Sequence, residues 1–220
     1  MGRGRLIVLE GAEGVGKSTQ LVRLAEHLER HGRPAVVVRE PGGTPLGEAI
    51  RGLLLDPAGD VGPRAEALLF MASRAQLVGR VIGPALARGD LVLADRFFLS
   101  TYAYQIGARG LPEEDVVTAN RLATGGLVPD LTLLLFLPAA EGLARAAGRG
   151  DADRMERAGR EFHQRVEGAF ATFRDPAWQR RHPECGPIAT VRADGSVEAV
   201  HSRLLAVLAE RWPETFSLDC

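Results

Sequence analysis

The nine residues "GAEGVGKST", Gly11 to Thr19, follow directly on the apolar run "LIVLE". Gly11, Gly16, Lys17 and Ser18 satisfy the spacing G-x-x-x-x-G-K-[ST], with strand character before the match and helical character after it. Few short patterns restrict a fold so strongly. Glycines let successive backbone N–H groups curl around a phosphate without side-chain collision. The helix that follows adds the positive end of its dipole. The lysine is then placed to reach β- and γ-phosphates, and the serine hydroxyl to meet Mg²⁺. The expectation is a nucleoside triphosphate-binding loop formed by Gly11, Ala12, Glu13, Gly14, Val15, Gly16, Lys17, Ser18 and Thr19.

The rest of the chain reads in the same idiom. Five short apolar runs, at residues 6–9, 35–38, 91–94, 131–137 and 188–191, are separated by helical patterns. Strands buried on both faces read as continuous apolar runs, and alternation with helices favours a parallel sheet. Thr44 and Pro45 open one helix as cap and first residue. Residues 64–88 form a long helical stretch that Pro84 bends, and residues 100–124 are helical with a break near "GARGLP". Met155, Ala158, Phe162, Val166, Phe170 and Phe173 form the core stripe of a further helix. The expected fold class is α/β: a three-layer P-loop NTPase fold with a parallel five-stranded sheet flanked by helices. Residues 1–220 read as a single domain, with a short glycine-flanked lid at about 142–154.

Composition removes several function classes. The formal net charge is −1, without the basic excess of a general nucleic-acid binder. The two cysteines, Cys185 and Cys220, form no CxxC pair and suggest no disulfide framework. The first apolar run is too short for a signal peptide, and no segment is long enough to span a bilayer. A cytoplasmic protein with no membrane partner is expected. His27 and His31, in "HLERH", have the acid misplaced for a zinc-protease pattern and read as a solvated pair.

A nucleotide loop does not by itself distinguish a GTPase switch, an ATPase and a kinase. No N/TKxD guanine-reading motif is present, and "LVLAD" ends in Asp95 followed by Arg96. A kinase needs a second pocket for its acceptor. The segments "REPGGTPLGEAIR", "LLFMASRAQ" and "DRFFLSTYAYQ" follow "EGAEGVGKSTQ" in that order. Together with "DADRMERAGREF" they make the chain resemble thymidylate kinase, in the bacterial form whose lid supplies arginines.

The resemblance implies ATP and dTMP as substrates, Mg²⁺ as cofactor and a homodimer. It places Arg96 between donor and acceptor phosphates, with Lys17, Glu13, Asp95, Arg149 and Arg154 completing the catalytic set; Arg145 is a further lid arginine. Ser18 and Asp95 serve the metal. Arg51 and Glu40 match acceptor-side positions, and Phe70 and Arg74 match the thymine contacts. Ser100, Thr101 and Gln105 lie near the base, and Tyr104 matches the aromatic residue that crowds the sugar's 2′ position. The chemistry agrees. A nucleoside monophosphate is mostly dianionic at neutral pH, since its second pKa lies near ~6. The difficulty is bringing that dianion to the γ-phosphate, which calls for positioning and arginine forks. Leu99 and Phe136 stand where the family often has Asp. Kinases of UMP or dUMP, and a non-kinase ATPase, remain the alternatives.

Overall fold

The computed structural model describes residues 3–137, 154–155 and 157–216. Its centre is a five-stranded sheet: β1 (Arg5–Glu10), β2 (Ala35–Arg39), β3 (Leu91–Asp95), β4 (Leu131–Phe136) and β5 (Ile188–Arg192). The spatial order is β2-β3-β1-β4-β5, and every pairing is parallel. All five expected strands are present, each within a residue or two of its apolar run.

Side chains alternate across each strand; β1, β3 and β4 bury both faces, while the edge strands β2 and β5 leave Val37, Arg39, Thr190 and Arg192 exposed. Leu6, Val8, Val92, Ala94 and Leu134 join one core cluster with Phe97, Tyr102, Phe162 and Phe170. Ile7, Leu9, Leu93, Leu133 and Leu135 join the other, with Leu21, Leu24, Leu28, Leu204 and Leu208. The second layer is made by α1 (Lys17–Arg30), whose leucines face the sheet, and α9 (Val197–Arg211), capped by Ser196. The third layer holds the remaining long helices.

In that layer, α2 (Pro45–Leu55) starts as its residues require: the Thr44 hydroxyl accepts from Gly47 N–H at 3.0 Å, and Pro45 takes the first helical position. Helix α3 (Pro63–Leu77) runs through a π turn (Val78–Ile82) into α4 (Gly83–Arg88). The expected bend near Pro84 is met by this wider turn, because Pro84 has no N–H to donate one turn back. After β3 come α5 (Phe98–Thr101) and a second π segment (Tyr102–Ala108), then α6 (Glu113–Thr124).

Three expectations need correction. The stripe beginning at Met155 is not one helix: α7 is Arg160–Thr172, with Gly159 at its N-cap. Met155 and Ala158 precede it in turns, although Met155 is still buried. The short helices α8 (Pro176–Arg181) and α10 (Pro213–Phe216) lack a full apolar period and escaped the pattern. His27 is buried at 9% exposure, with its ring 4.3 Å from His31 and 6.0 Å from His201, so the pair is not simply solvated.

Candidate active site

The carboxyl ends of β1, β3 and β2 lie side by side, with Leu9 opposite Asp95 and Asp95 opposite Arg39. Ligands of open parallel sheets collect at such an edge. A cavity of about 370 Å³ opens there.

The loop after β1 forms one wall. Gly11 has φ 143°, and a Cβ there would meet the Leu135 carbonyl oxygen at 2.3 Å. Gly16 has φ 89° and serves as N-cap of α1, a conformation that glycine adopts without strain. Lys17 is buried, and its Nζ donates to the carbonyls of Gly11 (2.9 Å) and Ala12 (2.8 Å). Burial lowers its pKa to about 7, and the nearby Arg96 charge adds to this. Asp95, Glu10 and Glu13 act in the opposite direction but do not offset burial. Ser18 Oγ donates to Asp95 Oδ2 at 2.7 Å, while Asp95 Oδ1 is buried with no partner among the described residues. A hydroxyl and a carboxylate with an unused oxygen are the hard donors that Mg²⁺ takes beside nucleotide phosphates, so these residues fit that ion. No group of three or more His, Cys, Asp or Glu able to hold a metal occurs among the described residues, which leaves phosphate and water to complete such a shell.

Arg96, directly after β3, lines the same cavity. Its φ of 73° makes it the sole non-glycine residue with positive φ among the described residues. Nη1 donates to Ser100 Oγ (2.9 Å) and Gly11 O (3.3 Å), and the guanidinium lies 5.5 Å from the Tyr104 ring centroid. Burial opposes the charge, but Tyr104, Glu10 and Asp95 outweigh that and hold its pKa above the usual range. The Tyr104 hydroxyl donates to Glu13 Oε1 at 3.1 Å. Glu13 is thereby turned toward the cavity rather than into the loop's amide cradle.

The far wall is built on α2 and α3. Phe70 lines it half-buried, and Arg51 donates through Nη1 to the Pro41 carbonyl at 3.0 Å. Arg74 is 2% exposed. Its guanidinium donates to Glu40 from two nitrogens, and also to Thr101 Oγ1 (2.9 Å), Asn120 Oδ1 (2.6 Å) and Phe97 O (2.8 Å). Burial pushes the Glu40 carboxyl up, and Arg74's charge and hydrogen bonds work against this. Every N–H of the Arg74 fork already has an acceptor, so a base carbonyl can be reached only by sharing one of them. Gln105 Nε2 donates to Glu66 at 3.1 Å.

The cavity thus brings together Glu13, Gly14, Lys17, Ser18, Glu40, Arg51, Phe70, Arg74, Asp95, Arg96, Ser100, Thr101, Tyr104 and Gln105. Gly11, Ala12, Val15, Gly16 and Thr19 are not part of its lining; Val15 is buried at 4% exposure. Arg154 stands apart. Its Nη2 donates to the buried Glu66 at 2.8 Å and its Nε to Leu54 O at 2.8 Å, on the α2–α3 side rather than at the phosphate loop. Arg145 and Arg149, with most of the expected lid, lie outside the described residues.

A family model described as thymidylate kinase matches residues 9–203. The chain belongs to the thymidylate kinase family. The thymidylate kinase of Pseudomonas putida (strain GB-1) is 47% identical over 206 residues, covering 93% of this chain and 95% of the relative. That of Deinococcus radiodurans is 52% identical over 172 residues, covering 77% and 82%. The crystal structure of thymidylate kinase from Ehrlichia chaffeensis superposes with a TM-score of 0.71 at 28% identity, over 94% of this chain and 98% of the other.

The two departures at Leu99 and Phe136 are accommodated by packing. Leu99 is 1% exposed within the core, and Phe136 lies under the Arg174 guanidinium, 4.0 Å from its ring centroid. Sequence reading missed Glu10, Glu66, Asn120 and Met155. Met155 and the long-range partner Asn120 carried no local signal. Glu10 carried one, as an acid closing an apolar strand that both faces bury.

Proposed function

We propose that the chain transfers the γ-phosphoryl group of ATP to dTMP, giving ADP and dTDP for deoxynucleotide synthesis in the cytoplasm. The observation that carries this reading is one cavity lined by Lys17, Ser18, Asp95 and Arg96 together with Arg51, Phe70 and Tyr104. In this reading Gly11 to Thr19 hold the triphosphate, and Lys17, recharged by the incoming anion, binds β- and γ-oxygens. A dTMP phosphate oxygen attacks the γ-phosphorus as the bond to the bridging oxygen breaks. No proton need move, since the acceptor enters as a dianion. Arg96 and Arg51 offset repulsion between the two anions, and Glu13 and Glu40 line the acceptor's sugar side. Phe70 stacks on thymine while Arg74, Thr101 and Gln105 border the base; Tyr104 leaves room for a deoxyribose.

Ser18 and Asp95 would hold Mg²⁺, which when bound neutralises phosphate charge and orients the triphosphate. Residues 1–220 act as one kinase domain with a lid at about 142–154. Arg149 belongs to that lid. Arg154 serves ATP only by exchanging its Glu66 partner. The homodimer is assigned to the α2–α3–α6 side, where Leu53 (59%), Leu68 (63%) and Leu122 (85%) are exposed.

A coupled ADP-release assay with dTMP, dUMP and UMP tests the acceptor. Preference for dTMP is expected. Equal rates with dTMP and UMP would defeat the thymine assignment, and hydrolysis indifferent to any acceptor would return the chain to the ATPase alternative.

A further inference from the structure

Glu10, the last residue of β1, is fully buried, yet it does not line the cavity. Its carboxylate accepts three hydrogen bonds, from Phe97 after β3 and from Ser100 in α5. Oε1 takes Phe97 N–H (2.7 Å) and Ser100 N–H (3.0 Å), and Oε2 takes the Ser100 hydroxyl (2.7 Å). Ser100 Oγ in turn accepts from Arg96 Nη1 at 2.9 Å. The polarity of this chain is fixed by chemistry. A guanidinium can only donate, so the Ser100 oxygen accepts from Arg96 and its hydrogen is left to point at Glu10 Oε2. The same carboxylate therefore grips the backbone on the C-terminal side of Arg96 and, through one hydroxyl, its side chain. Something must do so, because a non-glycine residue held in the left-handed region costs about 1–3 kcal/mol and persists only when its surroundings over-determine it.

We propose that Glu10 is a positioning residue for phosphoryl transfer: through Ser100 it holds the Arg96 guanidinium between the two nucleotide phosphates. The proposal rests on Arg96 acting on the transferring group, and the test separates the two ideas. Turnover and KM for ATP and dTMP are measured for the full chain and for Glu10→Gln, Ser100→Ala, Arg96→Ala and Glu10→Gln/Arg96→Ala. Glu10→Gln keeps the shape but removes the charge and replaces one acceptor with a donor. It is expected to lower kcat by about 10²-fold while KM for ATP moves less than about threefold, as a misaimed transition-state contact should.

In the Arg96→Ala background Glu10→Gln should cost nothing further, because its effect runs through the absent side chain. A kcat for Glu10→Gln within about twofold of the parent overturns the inference. So does a double variant whose losses multiply, since Glu10 would then act on the site independently of Arg96. Should Glu10→Gln fail to fold, Ser100→Ala decides: it cuts the relay in the middle, and unchanged turnover refutes the role. Unchanged turnover in Arg96→Ala instead removes Arg96 from the mechanism, and the inference falls with it.

Discussion

Lys17 makes a quantitative prediction, because its ammonium is buried before any nucleotide arrives. Its pKa is lowered to about 7 by burial and then by the Arg96 charge, against an ordinary value of 10.5. The perturbation is ATP binding itself. A triphosphate placed against Nζ supplies the negative charge that burial lacks, so the pKa must rise. Restoring it to 10.5 from about 7 corresponds to roughly 5 kcal/mol between the two protonation states, at about 1.4 kcal/mol per tenfold. At pH 8 the free enzyme holds about 0.1 proton on Lys17 and the complex about 1, so binding takes up close to 0.9 proton. At pH 7 the uptake is about 0.5, and at pH 6 about 0.1. ATP's own terminal phosphate is already deprotonated at pH 8, so it cannot supply or mask this proton.

The assay is isothermal titration calorimetry of ATP binding at pH 8 in two buffers with different ionisation enthalpies. The slope of observed enthalpy against buffer enthalpy counts the protons. The sign follows from the uptake: apparent ATP affinity falls as pH rises above about 7, by nearly tenfold per pH unit at pH 8 and above. Lys17→Met should abolish both the uptake and the slope. A buffer-independent enthalpy at pH 8, with tight binding retained, would refute the claim that Lys17 waits uncharged for a phosphate.

Three further outcomes can be checked directly. Arg96→Ala should lower turnover by ~10³-fold or more while ATP affinity, measured by the same titration, changes far less. Asp95→Asn should raise the Mg²⁺ concentration needed for half-maximal turnover, since it weakens the carboxylate whose Oδ1 is buried without a partner among the described residues; unchanged metal dependence would remove Asp95 from that role. Glu66→Ala leaves the partly buried Arg109 and Arg154 without their shared carboxylate, at 2.9 and 2.8 Å, and should cost roughly 3–5 kcal/mol in denaturant unfolding.

The fold was legible in the sequence wherever a single physical demand repeated. The central strands β1, β3 and β4 are buried on both faces and so apolar throughout; the edge strands β2 and β5 are more open but keep short, mostly apolar runs, so all five could be read. The phosphate loop was legible because its residue types answer local needs: Gly11 for a backbone approach closer than any Cβ allows, Gly16 for a left-handed cap. What stayed hidden depends on distance along the chain. Arg74 was visible as a cation on the face of Phe70, but Glu40, Thr101 and Asn120 reach it from 34, 27 and 46 residues away, and no periodicity records that. Helix α7 was misjudged at its start because Met155 is buried and Ala158 partly buried against the core, as helix residues are, while both lie before Gly159 outside any helix.

The division has a physical origin that bears on the chemistry. Grips on phosphate come largely from backbone amides and one lysine, so a short motif encodes them. Placing a guanidinium between two anions is a different task, because a free arginine would be drawn off by either one. Here Arg96 is held on several sides: by its own strained turn, by Ser100 at 2.9 Å, by the Gly11 carbonyl at 3.3 Å and beneath Tyr104. Glu13 restrains Tyr104, and Glu10 restrains Ser100. Two carboxylates therefore stand behind the arginine and counterbalance it before substrates arrive. Its charge stays fixed in a buried place where burial alone would work against it. On the reading proposed above, the loop's amides and Lys17 hold the nucleotide while Glu10 and Glu13 aim the cation through Ser100 and Tyr104; only the second part makes such a loop serve transfer to an acceptor rather than binding alone.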